Sequence, residues 1–292
     1  MTIDDLRLTN EAASFQSLFV NRQSKGETPC GFAKHLVPEE TMMAVHAMLF
    51  REAKIRTTNF TFLFWDLCYP LGYLLVFSVG INDAVASPLS ADGVDYQSFF
   101  LGGVLGMASF GIAANTAWGF FMDRDNGIFY EMLTYPMSRA QYLGAKVFFN
   151  VLVAVVQALL TVLLAWLLLG VSIRWERFPL LLLTVVLGTA GWFYFYSIFA
   201  LRIRRNDIFN SLTSVFYFVF LFASSMFYPI EPLPAFFRSV ALVNPITWHV
   251  DFLRFSTIAL GIPSNIALEA GAFVLFALAS FACAMHYLQH QE

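Results

Sequence analysis

Residues 122–139 read MDRDNGIFYEMLTYPMSR, a charged and turn-rich segment that separates two long apolar runs. These runs cover residues 97–121 and 143–170, and each exceeds the ~20 residues with which a helix crosses a bilayer. The segment between them combines acids, arginines and a stretch with the pattern of a short amphipathic helix. We interpret this segment as the part of a membrane protein that contacts a partner in the cytosol.

The composition of the whole chain also indicates a membrane protein. Hydrophobic residues make up 58% of its 292 residues and charged residues only 13%, whereas soluble domains contain about 25% charged residues. A chain can cross a bilayer only as helices or as a closed barrel, and barrel strands alternate apolar and polar residues over about 10 positions. Because the apolar runs here do not alternate, the sequence predicts an all-α integral membrane protein.

Six apolar stretches predict six transmembrane helices. They lie at about residues 60–80, 97–121, 143–170, 179–200, 208–228 and 267–288. The N-terminal segment is polar and lacks the apolar core of about 7–15 residues that marks a signal peptide. The expected organisation is a cytoplasmic N-terminal extension over residues 1–38, an amphipathic interfacial helix over residues 39–58 and a six-span domain over residues 59–292.

The positions of lysine and arginine predict how the chain is oriented. Most of these residues lie in the N-terminal segment and in the loops after the second and fourth spans. The opposite side has only Arg174, Arg177, Arg238 and Arg254. Since cytoplasmic loops are rich in Lys and Arg, we expect a multi-pass protein of an inner or plasma membrane with both termini in the cytoplasm. The cations that end the 39–58 helix would suit an anionic lipid leaflet, and a plain solvated helix is the alternative.

Small residues are concentrated in the second predicted span. Gly102 and Gly106 are four residues apart, with Gly103 and Gly111 nearby, and such spacing lets two helix backbones approach closely. This surface could pack within the chain, form a contact between subunits or line a substrate path. Asn115, toward the cytoplasmic end of the span, could be functional or could simply reach the membrane interface.

The connection between the fifth and sixth spans contains two short apolar pieces, residues 235–243 and 246–260. Neither piece reaches the ~20 residues of a span, and the prolines at their boundaries break helices. We therefore expect two short external helices that dip back into the outer leaflet. Asp251 and Arg254 are three residues apart on one helical face, which favours a mutual ion pair, and His249 could border this pair.

Residue patterns for nucleotide hydrolysis or metal binding are missing from the sequence. A phosphate-binding loop ends in Gly-Lys-Ser/Thr, but no lysine of this chain follows a glycine. The cysteines, Cys30, Cys68 and Cys283, are isolated and lack metal-ligand spacing. Asp66 is the only acid inside the first five predicted spans, and it lies close enough to the Arg56 region to be paired or solvated. We expect no enzyme, no cofactor or metal bound by this chain and no nucleic-acid partner.

Two groups of residues form ordered motifs at the charged segment and after the fifth span. The first motif comprises Asp123-Arg124-Asp125, Gly127, Glu131, Pro136, Ser138-Arg139, Gly144 and Lys146. The second motif comprises Asn244-Pro245, Thr247-Trp248, Val250-Asp251 and Arg254. Together and in this order they resemble the type-2 permease family of ATP-binding-cassette (ABC) exporters. The resemblance covers roughly residues 40–288 and includes the number and orientation of the spans.

This resemblance implies partners and roles for both motifs. The helix near residues 127–133 would seat in a cleft of a separate ATPase subunit. The ATPase-coupling residues would be Asp123, Arg124, Asp125, Gly127, Glu131, Pro136, Ser138 and Arg139, and those of an external gate Asn244, Pro245, Thr247, Asp251 and Arg254. Because six spans form half a transporter, two ATPase subunits and a second permease copy, identical or paralogous, are expected. ATP and Mg would bind to the ATPase subunits, and membrane lipids would surround the permease.

The resemblance also implies that the substrate passes between two permease chains, past the second and fifth spans. Polar residues that could line this path are Asn115, Asn210, Thr213, Ser214 and Ser224, although they could equally bond to the backbone of their own helix. We expect export of an amphipathic lipid, glycolipid, lipo-oligosaccharide or drug, or of a surface polysaccharide. An intramembrane lipid-modifying enzyme and a non-transporting membrane anchor or sensor are the alternatives.

Overall fold

The computed structural model describes residues 38–82, 94–135 and 137–290, and within these ranges it contains α-helices and no strand. The helices are α1 (Pro38–Thr58), α2 (Phe60–Asn82), α3 (Tyr96–Asp125), α4 (Ile128–Met132), α5 (Arg139–Leu169), α6 (Phe178–Arg202), α7 (Asn206–Phe222), α8 (Ala235–Val243), α9 (Pro245–Ile258) and α10 (Pro263–Gln289). The all-α prediction is therefore confirmed for the described residues. Residues 1–37 of the predicted extension, and Pro136 of the first motif, lie outside them.

Within the described residues, four helices are long and apolar enough to cross a membrane, namely α3, α5, α6 with the 3₁₀ turn Trp175–Arg177 that precedes it, and α10. Two other predicted spans correspond to shorter apolar stretches, which are Phe64–Phe77 within α2 and the whole of α7. The chain is therefore a multi-pass helical membrane protein.

Helix α3 lies at the centre of the molecule. In its most apolar 18-residue stretch 89% of the residues are buried, compared with 17% in α10. Helices α2, α5, α6 and α9 all pack against α3. By contrast, α10 packs mainly on α6 and α9 and leaves Leu268, Leu275 and Leu278 exposed. Helix α3 is thus the core helix, and α10 is a peripheral one.

The glycines of α3 allow close packing within the chain. A Cβ atom added to Gly102 would lie 2.4 Å from Arg254 Cγ on α9, and one added to Gly103 would lie 2.4 Å from the carbonyl oxygen of Met226. Gly106 approaches α9 in the same way. Of the three interpretations of this small-residue surface, intramolecular packing is therefore observed for these glycines.

Helix α7 is shorter than the sequence predicts. It ends at Phe222 rather than near residue 228, and turns and bends follow it. The Asn244 side-chain amide donates hydrogen bonds to the carbonyl oxygens of Phe220 and Ala223, at 2.9 and 2.8 Å. These carbonyl groups lie in the last turn of α7 and just after it, where no further turn of the helix supplies N–H donors. Asn244 donates hydrogen bonds to them instead.

Helix α1 forms where the sequence predicts a helix, but two of its cations face inward. Arg51 is partly buried and pairs with Asp123, and Arg56 is buried and pairs with Asp66. Lys54 is exposed. The expectation that the basic face of this helix meets an anionic leaflet is therefore wrong for Arg51 and Arg56, because acids of α2 and α3 lie within ion-pair distance of them.

Candidate functional site

The α3–α5 connection, residues 126–138, is a short structured segment that carries much of the first motif. Near its start, Gly127 has a φ of 79°, in the left-handed region that glycine adopts without strain, and helix α4 follows. At its end, the Ser138 hydroxyl accepts a hydrogen bond from the backbone N–H of Gln141, and Gln141 Oε1 accepts one from the N–H of Ser138. This reciprocal capping box fixes the residue at which α5 begins.

Helix α4 has a buried side and an exposed side. The Phe129 ring is fully buried and packs against Tyr142 of α5, with ring centroids 5.1 Å apart. Glu131 is exposed, and half of the surface of Tyr135, just after the helix, is exposed as well. The connection is therefore anchored by one aromatic ring while it presents an acid and a tyrosine outward.

A buried ionic cluster joins α1, α3 and α5 next to this connection; its members are Arg51, Glu52, Asp123, Tyr142 and Lys146. Asp123 accepts hydrogen bonds from Arg51 Nη2 at 2.6 Å and from the Tyr142 hydroxyl at 2.5 Å. Lys146 Nζ lies 2.8 Å from Asp123 Oδ2 and 2.8 Å from Glu52 Oε1. Removal of any one partner would leave a buried charge uncompensated, so the cluster holds the three helices in one arrangement.

The charges of this ionic cluster balance, with two acids against two cations. Burial by itself lowers the pKa of the Arg51 guanidinium, but the hydrogen bond to Asp123 and the negative charge of that residue raise the pKa above its ordinary value. The cluster thus favours the charged form that the Arg51 guanidinium already has at neutral pH.

Glu52 and Tyr142 are the members of the ionic cluster that sequence reasoning missed, and the spacing of residues in α1 could have revealed Glu52. Met48, Glu52 and Arg56 are all buried, and they follow one another at intervals of four residues. Residues four apart share one face of a helix. This spacing indicates the inward face of α1. Two of the three residues are charged, however, and charged residues are expected on a solvated face.

Arg124 and Arg139 of the first motif bind the ends of other helices in the chain. Arg124 donates hydrogen bonds to the carbonyl oxygens of Ala200 and Ile203 at the end of α6. Arg139 donates to the carbonyl oxygens of the last two residues of α10, at 3.0 and 3.2 Å. A cation at this position satisfies free carbonyl groups and interacts favourably with the helix dipole. The side chains of Asp123, Arg124 and Arg139 therefore bind other residues of the same chain. At the surface lie Asp125, Gly127, Glu131 and Ser138.

A second buried polar network connects α1 with α2, α3 and α5. Arg56 pairs with Asp66 and also donates to Thr116 Oγ1 at 2.8 Å. Asn115 Nδ2 donates to Asp66 Oδ1 at 2.7 Å, and the Thr116 hydroxyl donates to Asn150 Oδ1 at 2.7 Å. The prediction that Asp66 is paired with the Arg56 region is confirmed.

The second motif begins with residues that start α9. Asn244 Oδ1 accepts a hydrogen bond from the N–H of Ile246 at 3.0 Å, as an N-cap residue does. Pro245 occupies the first helical position, where its missing N–H is not needed. The Thr247 hydroxyl accepts a hydrogen bond from the N–H of Ser225 at 3.2 Å. The motif therefore starts α9 and at the same time binds the chain that follows α7.

Arg254 completes this contact from within the protein, where only 2% of its surface is exposed. Its Nη1 donates to Asp251 Oδ1 at 2.7 Å and to Ser225 Oγ at 3.0 Å, and its Nη2 donates to the Ser225 carbonyl at 2.6 Å. Its Nε donates to the Phe99 carbonyl of α3 at 3.0 Å. The predicted Asp251–Arg254 ion pair is confirmed. Non-helical backbone inside a membrane needs such internal partners, and Arg254 provides them.

His249 does not border this ion pair. Its ring stacks on Phe273 of α10 with centroids 4.9 Å apart and accepts a hydrogen bond from Trp192 Nε1 at 3.3 Å. The expectation is wrong because residues two positions apart on an α-helix differ in direction by about 200°. His249 therefore points away from Asp251 and toward α6 and α10.

Three of the five polar residues predicted to line a path come together at one cavity. Asn115, Thr213 and Ser214 line a space of about 500 Å³ between α2, α3 and α7, which we call the α2–α3–α7 cavity. Asn210 is exposed and donates to the side chain four residues before it, and Ser224 is buried and donates to the carbonyl three residues before it. The alternative of bonding to the backbone of the same segment is observed for Ser214 and Ser224.

Comparison with known proteins identifies the family. The family model of the ABC-2 type transporter matches residues 43–258, a range that begins within α1, contains both motifs and ends with α9. No curated protein matches the sequence significantly. Because the family model covers well over half of the chain, the chain belongs to the ABC-2 type transporter family and is the membrane-embedded permease of an ABC transporter, the partner of an ABC ATPase.

Proposed function

We propose that this permease is one half of the membrane part of an ATP-driven exporter, with six spans and both termini in the cytoplasm. Helices α2 and α7 supply the two spans beyond the four long helices. A second permease copy, identical or paralogous, and two ATPase subunits that bind ATP and Mg²⁺ complete the transporter. The observation that carries this proposal is that α4, a helix with an exposed side, packs through Phe129 on Tyr142 of the buried ionic cluster.

The surface of α4 suits a cleft in a partner protein. Glu131 and Tyr135 are exposed, as is Asp125 at the end of α3, and a tyrosine of this kind offers both an apolar ring and a hydroxyl group to an interface. The buried Phe129 ring keeps the helix from shifting independently of the bundle. A movement of the ATPase subunits would therefore act on the bundle through α4.

Direct contacts connect α4 to the core of the permease. Phe129 packs on Tyr142, and Tyr142 donates a hydrogen bond to Asp123 near the end of α3. Displacement of α4 would thus act on α3 and α5 together. Because the ionic cluster also contains α1, this interfacial helix would move with them.

Helix α3 would carry the movement to the other end of the protein. Gly102 and Arg124 are separated by 22 helical positions, which corresponds to about 33 Å. At the far end, Gly102 and Gly103 touch α9 and the non-helical residues after α7. In this proposal the second motif forms an external gate, with Asn244, Pro245, Thr247, Asp251 and Arg254 as its residues.

The α2–α3–α7 cavity supports an amphipathic substrate. Its volume of about 500 Å³ lies within the range of pockets that hold drug-sized ligands. Most of its lining is aromatic or aliphatic, and Asn115, Thr213 and Ser214 contribute polar groups. A lipid, glycolipid or drug could use both kinds of surface, whereas a long hydrophilic polymer would leave the aromatic surface unsatisfied.

A charge reversal on α4 tests the coupling. We expect Glu131→Arg to reduce the ATPase activity that co-purifies with the tagged permease in mild detergent by roughly tenfold, which corresponds to about 1.4 kcal/mol of binding. The matched control is Glu176→Arg, which reverses an exposed acid in the turn before α6 and should leave the activity unchanged.

Two other outcomes have distinct meanings. Equal ATPase activity with Glu131→Arg and with the wild type would contradict the coupling role of α4. A wild-type chain that brings down no ATPase in several detergents would contradict the exporter proposal and favour a membrane anchor or sensor.

A further inference from the structure

The α2–α3–α7 cavity has an aromatic side and a polar end. Seven rings line it, namely Trp65, Tyr69, Tyr73, Tyr217, Phe218, Phe222 and Phe227. The three rings of α2 follow one another at intervals of four residues, so they form a row along one helix face. Tyr69 and Tyr73 have ring centroids 4.8 Å apart and hydroxyl oxygens 3.2 Å apart. A flat apolar body would fit along this row, with ring faces available for stacking.

Asn115 forms the polar end of the cavity. Its side chain is exposed toward the cavity, and its Nδ2 donates to Asp66 Oδ1 at 2.7 Å. This bond fixes the orientation of the amide, and among the described residues no donor reaches Asn115 Oδ1. An amide oxygen accepts hydrogen bonds but donates none. The cavity therefore offers an oriented acceptor to a ligand that carries a hydrogen-bond donor.

The charge behind Asn115 is neutralised within the protein. The Asp66 side chain is only 1% exposed and forms an ion pair with Arg56 of α1. Arg56 also donates to Thr116, one residue along from Asn115. Because this pair has no net charge, a cationic or anionic ligand group would find no net opposite charge to offset the hydration it loses on entering the cavity. An uncharged donor loses less hydration.

We propose that this cavity binds an amphipathic molecule with a flat apolar body and an uncharged, hydrogen-bond-donating head group, and that Arg56 sets this preference by neutralising Asp66. The role of the cavity as a substrate site rests on the proposed export function. The preference for an uncharged head group does not rest on export, because it concerns only the binding of the molecule to the cavity. Arg56 is in this view a specificity-determining residue that acts through Asp66 without touching the ligand.

Four versions of the chain separate the effect of charge from the effect of shape. The wild type and the double variant Arg56→Gln/Asp66→Asn leave the polar end uncharged. At a pH at which the Asp66 carboxyl group is ionised, Arg56→Gln alone leaves one negative charge there, and Asp66→Asn alone leaves one positive charge. Each version is mixed in detergent, without ATPase, with three diphenylhexatriene probes that differ only in a hydroxyl, trimethylammonium or carboxylate head group. Binding is followed by energy transfer from Trp65, whose contribution is isolated by repeating each titration with Trp65→Phe.

The expected result is a reversal of preference that follows charge. The wild type and the double variant should bind the hydroxyl probe most tightly. Arg56→Gln should increase affinity for the trimethylammonium probe about tenfold or more, and Asp66→Asn should do the same for the carboxylate probe. The same order of affinities in all four versions would overturn the proposal. So would an energy-transfer signal that Trp65→Phe leaves unchanged, or an absence of binding because a second copy of the chain covers the cavity.

Each single variant breaks a buried ion pair and could fail to fold, so a second pair of variants keeps the test decisive. Asn115→Leu removes the acceptor at an exposed position and should abolish the advantage of the hydroxyl probe over unsubstituted diphenylhexatriene. Asn115→Asp should instead favour the trimethylammonium probe. An advantage of the hydroxyl probe that persists in Asn115→Leu would overturn the proposal. Co-purification of ATPase is measured separately, so failure of this inference would leave the export proposal standing.

Discussion

At the scale of residues, a few side chains supply hydrogen bonds that the helices themselves leave open. Asn244 caps the start of α9 and binds the end of α7 with the same amide group. Arg124, Arg139 and Arg254 bind carbonyl oxygens of other segments. Deep in a bilayer no water would take over the bonds of Asn244 and Arg254, whereas Arg124 and Arg139 satisfy carbonyl groups at the ends of α6 and α10 beside the exposed connection. Each of these residues therefore has a structural reason to be polar, in addition to any role in transport.

Close packing at Gly103 gives a prediction for stability. We expect Gly103→Ala to lower the free energy of unfolding by about 1–3 kcal/mol, because the new Cβ would lie 2.4 Å from the Met226 carbonyl oxygen. Gly119→Ala on the same helix meets no atom within 4 Å, so it should be neutral or stabilising by up to about 1 kcal/mol, since alanine favours helix formation. Thermal unfolding of both variants in one detergent checks this. Equal melting temperatures for Gly103→Ala and the wild type would contradict it.

Only some of the contacts between residues could be predicted from the sequence. The spacing of Gly102 and Gly106 correctly indicates a close approach, but it does not name the partner. The Asp251–Arg254 pair follows from helical spacing, whereas the bonds of Arg254 to Phe99 and Ser225 join positions that are distant in the sequence. Local patterns predict local contacts, and the long-range partners depend on how the helices assemble.

At the scale of elements, hydropathy predicts where helices form more reliably than where they end. The α3, α5, α6 and α10 helices agree with predicted spans because long apolar runs have no other stable form in a membrane. The predicted fifth span extends too far because Ala223, Met226 and Phe227 continue the apolar run of the helix before them. The end of α7 is stabilised by Asn244, some 20 residues later in the chain, and locally by the Ser224 hydroxyl, which donates to the Leu221 carbonyl.

The shared cap at Asn244 can be tested through the two helices it joins. We expect Asn244→Ala to destabilise the protein by about 2–4 kcal/mol, because a helix cap is lost and buried carbonyl groups lose a partner. Hydrogen exchange should increase at the end of α7 and at the start of α9 together. Asn265→Ala, at an exposed position near the start of α10, is the control and should change stability by less than about 0.5 kcal/mol. Faster exchange in only one of the two helices would argue against a shared cap.

At the scale of the whole molecule, two buried polar networks connect α1 to the bundle. One contains Glu52 and Asp123, and the other contains Arg56 and Asp66. Both networks use charged residues that composition alone would place at the surface. The class of the protein and its motifs are evident from the sequence, and pairing of Asp66 with the Arg56 region is one of two alternatives it indicates. The network of Glu52 and Asp123 is not evident, because hydropathy treats every charge as solvated.

Weakening the first network should reduce coupling without preventing ATPase docking. Glu52→Gln removes one of the two acids that Lys146 contacts, while the exposed side of α4 stays intact. We expect the amount of hydroxyl probe exported per ATP, in liposomes containing permease and ATPase, to fall roughly 2- to 30-fold, which corresponds to about 0.5–2 kcal/mol of coupling. Lys54→Gln, an exposed change on the same helix, is the control. A lower rate of ATP hydrolysis, with an unchanged amount of probe exported per ATP, would indicate lost stability. It would count against a coupling role for Glu52.

The early end of α7 has a consequence for the lipid around the protein. With 17 residues, α7 is about 26 Å long, which is less than the ~30 Å hydrocarbon thickness of a typical bilayer. A helix that is too short for its membrane draws the two leaflets together or pulls polar groups inward. In the proposed six-span arrangement, this hydrophobic mismatch would thin the bilayer beside the α2–α3–α7 cavity, of which α7 forms one side. Acyl-chain length in the host membrane would then influence the proposed transport.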